Sequence, residues 1–272
     1  MATQLAAGQY LGATTRRVEC GGAMLSEVLH RQGRALPPHG HEASYFCVLL
    51  DGGYVEQAGP TVLAYRPFST AFHPEGLFHV DRIGASGARF FMVDVPRQWS
   101  ARWDGHFDAA LNAAPGFLSH DAALLLARLY GWSRRELVSA ELLDSALCEL
   151  LGDAAGTRAT RETRRPGWMN RCVEMLHARI DAPVSIAEVA RALDLHPVYM
   201  TREFRRCFGR TVGEYSRRMR VRAACRLLAD RGRPLAEIAA ATGFADQSHF
   251  TRLFTAIIGC GPGQYRKLLI ET

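Results

Sequence analysis

The chain has 272 residues, of which 48% are hydrophobic and 22% charged, and its formal net charge is +6 at pH 7. This composition is typical of a soluble globular protein with one large domain or two ordinary ones, and it excludes a disordered chain. No run approaches the roughly 18 uncharged apolar residues of a membrane span, and the first twelve residues lack the pattern of a signal peptide. We therefore expect a cytoplasmic protein without a membrane partner.

The positive charge is concentrated in the C-terminal part of the chain. Residues 1–157 carry 12 Arg and 16 acidic residues, whereas residues 168–272 carry 16 Arg, one Lys and 10 acidic residues. The short segment 158–167 adds 4 Arg and one acidic residue. This asymmetry predicts a polyanionic partner for the C-terminal part only.

The seven cysteines are scattered along the chain and form no Cys-x-x-Cys pair. In a reducing compartment such cysteines are mostly buried thiols that pack as small apolar side chains. Cys47 is the exception, because it lies close in sequence to a group of histidines.

Up to about Pro96 the sequence predicts short strands separated by Pro and Gly. The first ends at Asp51-Gly52-Gly53, which is a strong turn signal. Several short strands at close spacing predict a β-sandwich or a small barrel. The predicted strands are Ser44–Leu50, Thr61–Tyr65, Thr70–His73 and Arg89–Val95.

The histidines of this region follow two spaced motifs. One runs Gly33, five residues, His39-x-His41, three residues, Tyr45, six residues, Gly52; the other is Pro74-x-Gly76-x-x-His79. These motifs resemble those of the cupins, with Tyr45 in place of the usual Glu and Phe68 in place of a Gly. The resemblance implies a small β-barrel whose interior brings His39, His41 and His79 together.

Two interpretations of the histidines remain open. Three imidazoles of this kind would bind Zn, Ni, Fe or Mn, with Tyr45 or Cys47 as a possible fourth ligand. Alternatively, the metal has been lost, and His39, His41, Tyr45 and His79 bind an organic effector or one another. His73, His106 and His120 have no predicted partners, and we interpret them as structural.

Helical periodicity replaces the strands in Asp121–Tyr130 and Arg135–Leu151. Leu143, Leu147 and Leu150 form one stripe, which could pack in the core or serve as a dimerisation face. A segment rich in Gly, Ala, Thr and Arg follows and predicts a linker. We expect a first domain at 1–152, a linker at 153–167 and an all-α domain at 168–272.

The C-terminal part contains an internal repeat. Thr201-Arg202-x-Phe204, Gly209 and Tyr215 recur as Thr251-Arg252-x-Phe254, Gly259 and Tyr265, shifted by 50 residues. Upstream, Ile186–Ala190 corresponds to Leu235–Ala239, shifted by 49 residues. The repeat predicts a duplicated structural unit with one inserted residue in the second copy.

Each copy carries the start and stop signals of a helix, a tight turn and a second helix. In the first, Ser185 and Glu188 predict a capping box, Asp194 a left-handed turn residue, and Pro197 the first turn of the next helix. The second copy has Pro234 and Gly243 at the ends of its short helix, and Asp246 as the cap of the following one. Both copies therefore predict a helix-turn-helix.

The second helix of each pair should lie in the DNA major groove with its outer face towards the bases. Phe250, Phe254 and Ile257 are predicted to face the core in one copy, and Met200, Phe204 and Phe208 in the other. Five arginines are predicted to contact phosphate or to make no contact with DNA: Arg205, Arg206, Arg217, Arg218 and Arg222. The predicted reading residues are Val198, Thr201, Arg202, Arg205, Gln247, Ser248, Thr251 and Arg252.

Residues 168–272 resemble the DNA-binding domain of AraC-type regulators over its whole length. The most specific match is Pro234-Leu-Ala-Glu-Ile-Ala, followed by Gly243-Phe244-x-Asp246-Gln247-Ser248-His249-Phe250-x-Arg252-x-Phe254 and Gly259-x-x-Pro262-x-x-Tyr265-Arg266. The resemblance implies seven helices, with Thr211–Ala229 as the long one joining the two units. The chain departs from the family at two helix starts, where His196 and Gly261 replace the usual hydroxyl residues.

AraC-type regulators often carry a cupin as their sensing domain, and their helices after the barrel are commonly dimerisation faces. The overall expectation is an α+β two-domain protein with an N-terminal cupin-like barrel and a C-terminal double helix-turn-helix. Its expected function is effector-controlled, sequence-specific binding of promoter DNA as a homodimer, with RNA polymerase as a further partner. Position 45, where catalytic cupins usually keep a carboxylate, argues against an enzyme.

Overall fold

The computed structural model describes residues 3–103, 105–112, 114–156, 166–182 and 185–270. Contacts along the chain divide it into two units, one within residues 1–155 and 268–272 and the other within 156–267. None of the described helices is both long and apolar enough to cross a membrane.

The first unit is rich in β-strands. Seven strands form one sheet in the order β2-β3-β8-β5-β7-β9, with β6 paired to β5, and β1 pairs with β4 separately. The predicted sheet-rich region is confirmed. The described strands do not close into a barrel, so the predicted barrel is not confirmed. The strands are β1 (Thr3–Leu5), β2 (Ala13–Cys20), β3 (Ala23–His30), β4 (His39–His41), β5 (Ser44–Ala58), β6 (Thr61–Tyr65), β7 (Thr70–His73), β8 (Val80–Val95) and β9 (Gly116–Phe117).

Strand β5 continues through Asp51-Gly52-Gly53, so the predicted turn is wrong. Its pairing with β8 shifts register on both sides of Gly52, which marks bulges in the two long strands. Gly52 has φ +88°, and a Cβ there would overlap the carbonyl oxygen of Gly87 on β8. The glycines thus allow the backbones of β5 and β8 to lie close together. This is a structural use of glycine within a strand, as opposed to its use in a turn.

Four helices follow β8 or lie near it in the described part of the first unit: α1 (Arg97–Ser100), α2 (Asp108–Leu111), α3 (His120–Arg134) and α4 (Ala140–Gly156). Helix α3 begins at Ser119, whose hydroxyl accepts hydrogen bonds from the backbone N–H groups of Asp121 and Ala122. Helix α4 continues over the first four residues of the predicted linker, and residues 157–165 lie outside the described part.

The leucine stripe of α4 belongs to the core. Leu143, Leu147 and Leu150 have no exposed surface within the chain. Burying such side chains contributes about 1.5–3 kcal/mol each relative to exposure, so the stripe stabilises the packing of α4. The stripe is therefore not available as a dimerisation face, and that part of the expectation is wrong.

Seven helices form the described C-terminal region, the number that the sequence resemblance implied. Met200 and Phe204 are fully buried on α7, as are Phe250 and Phe254 on α10, where Ile258 rather than Ile257 completes the core face. The helices are α5 (Trp168–Ala178), α6 (Ile186–Ala192), α7 (Pro197–Phe208), α8 (Val212–Leu228), α9 (Leu235–Ala241), α10 (Gln247–Ile258) and α11 (Pro262–Ile270).

Candidate nucleic-acid interface and histidine site

The first helix-turn-helix consists of α6, a turn and α7. The Ser185 hydroxyl accepts a hydrogen bond from the Glu188 N–H (3.3 Å), and Asp194 has the expected left-handed backbone with φ +55°. His196 caps α7, since its Nδ1 accepts a hydrogen bond from the Val198 N–H (3.3 Å). The imidazole therefore takes over the capping role that a hydroxyl residue usually has in this position.

The second helix-turn-helix consists of α9, a turn at Gly243 and α10. The Asp246 carboxylate accepts a hydrogen bond of 2.7 Å from the His249 N–H and so caps α10. Gly243 has φ +73°, and a Cβ there would overlap the carbonyl oxygen of Ile180. Glycine is thus required twice over, for the backbone conformation and for close packing.

Arg220 on α8 connects the two helix-turn-helix units. Its guanidinium donates one hydrogen bond to the Gly243 carbonyl (2.7 Å) and another to the Ala182 carbonyl (2.6 Å). Gly243 belongs to the turn of the second unit, whereas Ala182 precedes α6 of the first. One side chain therefore holds a backbone segment of each unit.

The eight predicted reading residues lie on exposed or half-buried faces of α7 and α10. The exposed ones include Val198, which is 67% accessible, while Thr201 and Thr251 are half-buried. The Thr201 hydroxyl donates to the Pro197 carbonyl (3.0 Å), which engages its polar group within the helix. The remaining exposed members are Arg202, Arg205, Gln247, Ser248 and Arg252.

The histidines of the two cupin-like motifs meet inside the first unit. His39 and His79 exchange backbone hydrogen bonds of 3.1 and 2.9 Å, and His41 follows His39 by two residues on β4. All three are buried, and one ligand nitrogen from each lies within 4.8 Å of the other two. The structure therefore brings together the three residues that the motif spacing predicted.

The protonation of these imidazoles suits lone-pair donation. Burial lowers the pKa of His39, and it lowers the pKa of His41 to about 3 and that of His79 to about 4. The Nδ1 atoms of His39 and His79 lie 3.0 and 3.3 Å from the Pro37 and Leu77 carbonyls. A carbonyl can only accept, so Nδ1 carries the hydrogen in both rings and Nε2 carries the lone pair.

Two carboxylates that the sequence analysis did not select complete the cluster. Asp81 Oδ2 lies 3.5 Å from His39 Nε2 and 3.7 Å from His79 Nε2. Glu56, the cross-strand partner of Asp81 in the β5–β8 pairing, can join His79 and Asp81 in a second group of possible ligands. Burial raises the pKa of Asp81 to about 7.

His73 is not an isolated structural residue. Its Nε2 lies 2.7 Å from Glu56 Oε2 within the buried cluster. Burial opposes protonation of His73, but the Glu56 carboxylate outweighs it and raises the pKa of His73 to about 10. Glu56 and His73 therefore form a buried ion pair beside the three neutral histidines.

Tyr45 and Cys47 line the same space as the histidines, and Cys47 belongs to neither group of possible metal ligands among the described residues. The Tyr45 ring lies 4.8 Å from the ring of His41 and 4.4 Å from that of His73. Burial raises the pKa of Tyr45 well above 10, so this side chain is a neutral phenol. Cys47 Sγ lies 4.0 Å from the Tyr65 hydroxyl.

The cavity at the cluster has a volume of about 40 Å³. A cavity that binds benzene has a volume of about 150 Å³. The space at the cluster in this conformation is therefore small for an aromatic effector.

The C-terminal sequence matches known proteins. A helix-turn-helix domain family matches residues 189–268. The regulatory protein SoxS of Salmonella typhimurium is 33% identical over 97 residues, which are 36% of this chain and 91% of SoxS. The uncharacterized HTH-type transcriptional regulator YisR of Bacillus subtilis is 33% identical over 85 residues, 31% of this chain and 30% of YisR. The C-terminal domain of AraT, a response regulator from Geobacillus stearothermophilus, is 26% identical, with 38% of this chain and 87% of that domain covered. Its TM-score of 0.37 is too low to support an argument.

The matched region and the two capped helix pairs define a helix-turn-helix domain of the kind that curated transcription regulators carry. Because the match to SoxS covers nearly all of that protein, the chain belongs to the AraC family. The chain spans less than half the length of other curated relatives that it matches, such as YisR.

Proposed function

We propose that this AraC-family regulator reads promoter DNA with α7 and α10 under the control of an effector bound at the histidine site. One observation carries the DNA-binding part of the proposal. Both helices begin at a side-chain cap, bury apolar side chains completely (Met200 and Phe204 on α7, Phe250 and Phe254 on α10) and leave an arginine-containing face exposed. A helix of this kind fits the major groove, where base edges are read.

The exposed side chains have distinct roles in this proposal. Arg202 and Arg252, at equivalent positions of the repeat, pair with guanine, and Gln247 pairs with adenine. The methyl groups of Val198 and of the two threonines contact thymine, with Arg205 and Ser248 beside them. The two helices then read two half-sites about 10 bp apart.

The N-terminal unit is, in this proposal, a cupin-like sensing domain. The motif histidines meet as a cupin would require, and Phe68 supports the same interpretation. Phe68 occupies the position of a motif glycine, and it has the left-handed φ of +63° although its side chain is buried. A non-glycine residue in this conformation is uncommon, which suggests that the surrounding fold imposes it.

A divalent metal ion is the effector that the site fits best. The Asp81 carboxyl oxygen Oδ2 lies 3.5 and 3.7 Å from the Nε2 atoms of His39 and His79, and a positive charge between these three atoms would be attracted by all of them. A bound Zn, Ni, Fe or Mn ion would supply that positive charge. The ligands come from β4, from the residue before β8 and from β8 itself, so occupancy would stiffen these strands relative to one another.

An organic effector is the second candidate, with His39, His41, Tyr45 and His79 as its polar contacts. It would require the cavity to enlarge well beyond about 40 Å³. We do not propose catalysis, because Tyr45 occupies the position where catalytic cupins usually keep a carboxylate. Turnover of a small substrate by the metal-loaded chain would overturn this choice.

The proposal includes a homodimer and contact with RNA polymerase. A dimer would place two double helix-turn-helix regions on one promoter, as closed symmetric pairs commonly do. Since the leucines of α4 are buried, the dimer would have to use another surface.

DNA binding with and without metal tests the proposal. Duplexes selected from a random library are titrated with the full chain after chelator treatment, and again with Zn²⁺, Ni²⁺, Fe²⁺ or Mn²⁺ added. We expect salt-dependent, specific binding whose affinity changes about 5- to 150-fold with one of the ions, the usual range of allosteric coupling. Absence of specific binding would overturn the reading assignment. If no ion, small aromatic compound or sugar changes the affinity for DNA, the proposal of effector control is overturned.

A further inference from the structure

We infer that Asp81 is a direct ligand of the metal ion, replacing the carboxylate that Tyr45 has displaced from the first motif. This inference rests on the proposed metal-binding function. It assigns the ligand set as three imidazoles and one carboxylate, with the carboxylate two residues after His79.

Backbone pairing places Asp81 at the site. His79 pairs with His39 through two backbone hydrogen bonds, and Asp81 follows on β8, opposite Glu56 of β5. Residues two apart on an extended chain point to the same side. Asp81 therefore shares the side of His79, and its side chain is 3% exposed.

The distances fit coordination rather than hydrogen bonding. Asp81 Oδ2 lies 3.5 and 3.7 Å from the two Nε2 atoms, beyond the usual hydrogen-bond range. Ligand atoms about 2.1 Å from an ion in a tetrahedral site are about 3.4 Å apart. The carboxylate oxygen is thus separated from each of these two imidazole nitrogens by nearly the distance that a shared ion would impose.

The neighbouring carboxylate is placed differently. Glu56 Oε2 bonds to His73 and to the Tyr65 hydroxyl, and both Glu56 Oε1 and Asp81 Oδ1 are buried with no hydrogen-bond partner among the described residues. Tyr45 stacks on His73 as a neutral phenol. Asp81 is the carboxylate with an oxygen within 3.7 Å of the Nε2 atoms of both His39 and His79.

Metal binding by the full chain tests this assignment. Apo-protein is titrated with Zn²⁺ in competition with a chromophoric chelator, for the wild type and for Asp81→Asn, Tyr45→Phe and Asp94→Asn. Asp94 is a matched control: it lies on the same strand, is 1% exposed and bonds to Tyr10 rather than to the histidines. Loss of an outer-shell partner weakens metal binding about 10- to 100-fold, so loss of a ligand should exceed this range.

We expect one Zn²⁺ per chain in the wild type, affinity lowered more than 100-fold in Asp81→Asn, and changes within about tenfold in the two other variants. Equal affinity of wild type and Asp81→Asn would overturn the ligand assignment and leave metal binding intact. A folded wild type that binds no metal would overturn both proposals.

A second variant keeps the test decisive if Asp81→Asn does not fold. Asp81→Cys places a thiol at the same position, and a thiolate bound to Co²⁺ gives a strong near-ultraviolet charge-transfer band. We expect this band in Asp81→Cys and not in the wild type. Co²⁺ binding by Asp81→Cys without the band would contradict the assignment.

Discussion

Arg202 and Arg252 have equivalent positions in the repeat, and both are exposed near the middle of a capped helix. A lone exposed arginine is most often a solvated charge. Two at equivalent positions, each beside a threonine, favour base reading. The distinction is testable because reading a base and neutralising a phosphate have different signatures.

Replacing Arg252 by Ala is expected to weaken binding to the preferred duplex by about 1–3 kcal/mol and to relax base preference at one position. The control is Arg171→Ala, which removes the same charge from an exposed position on α5. Binding is measured by fluorescence anisotropy on duplexes with single base changes. If both variants lose affinity equally for all sequences, Arg252 contacts only the backbone.

The paired substitution His39→Ala/His41→Ala is expected to abolish metal-induced stabilisation. A ligand at 100 times its dissociation constant stabilises the native state by about 2.7 kcal/mol, so wild-type melting should shift with metal and the variant's should not. His106→Ala, at an exposed position, should behave as wild type. Thermal scanning with and without the ion measures this, and a metal-dependent shift in the double variant would exclude these histidines as ligands.

At the scale of elements, Gly209 after α7 and Gly243 after α9 allow two effects on stability to be distinguished. One is the strain of a left-handed backbone, and the other is the overlap caused by close packing. Gly209 and Gly243 have φ +68° and +73°, but a Cβ at Gly209 meets nothing within 4 Å, whereas at Gly243 it would overlap backbone. Gly209→Ala should lower the free energy of unfolding by about 1–2 kcal/mol. Gly243→Ala should cost a further 1–3 kcal/mol, roughly, from the overlap. Urea unfolding of the full chain compares them, and equal losses would contradict the close packing.

Arg220 should affect DNA binding through the arrangement of the two helix-turn-helix units. Lysine keeps the charge but cannot donate to two carbonyls in a fork, so Arg220→Lys should loosen one unit relative to the other. We expect affinity for a duplex with both half-sites to fall about tenfold, with little change for a single half-site. Arg217→Lys, an exposed position on the same helix, serves as the control. Equal losses on both duplexes would show that Arg220 does not act through spacing.

Local signals explain what the sequence predicted well. Caps at Ser185 and Asp246 and the left-handed turn at Asp194 depend on a few neighbouring residues, and the structure confirms them. The histidine motifs are recognised from the spacing of their residues along the chain, and this recognition does not require knowledge of strand pairing.

Long-range pairing explains what was missed. Asp81 and Glu56 are 25 positions apart and meet only through the β5–β8 register, which no local pattern encodes. Asp51-Gly52-Gly53 was interpreted as a turn for the same reason, because the crossing strand that requires the glycines is distant in sequence. An observation that could have identified Asp81 is its position two residues after His79 in a predicted β region.

For the whole molecule, the central claim is that one chain reads two neighbouring segments of one duplex. The basic C-terminal part, the repeat and the Arg220 contacts all support a pair of reading helices held at a fixed spacing. A fixed pair tolerates only one separation and one rotational phase of its half-sites.

Half-site spacing tests this claim most directly. Inserting 5 bp between the two half-sites of the selected duplex turns one of them by about half a helical turn, away from the face on which the other lies. We expect affinity for the full chain to fall roughly 5- to 150-fold, to the level of a single half-site. Affinity that is unchanged by the insertion would contradict the claim that α7 and α10 read the same duplex together.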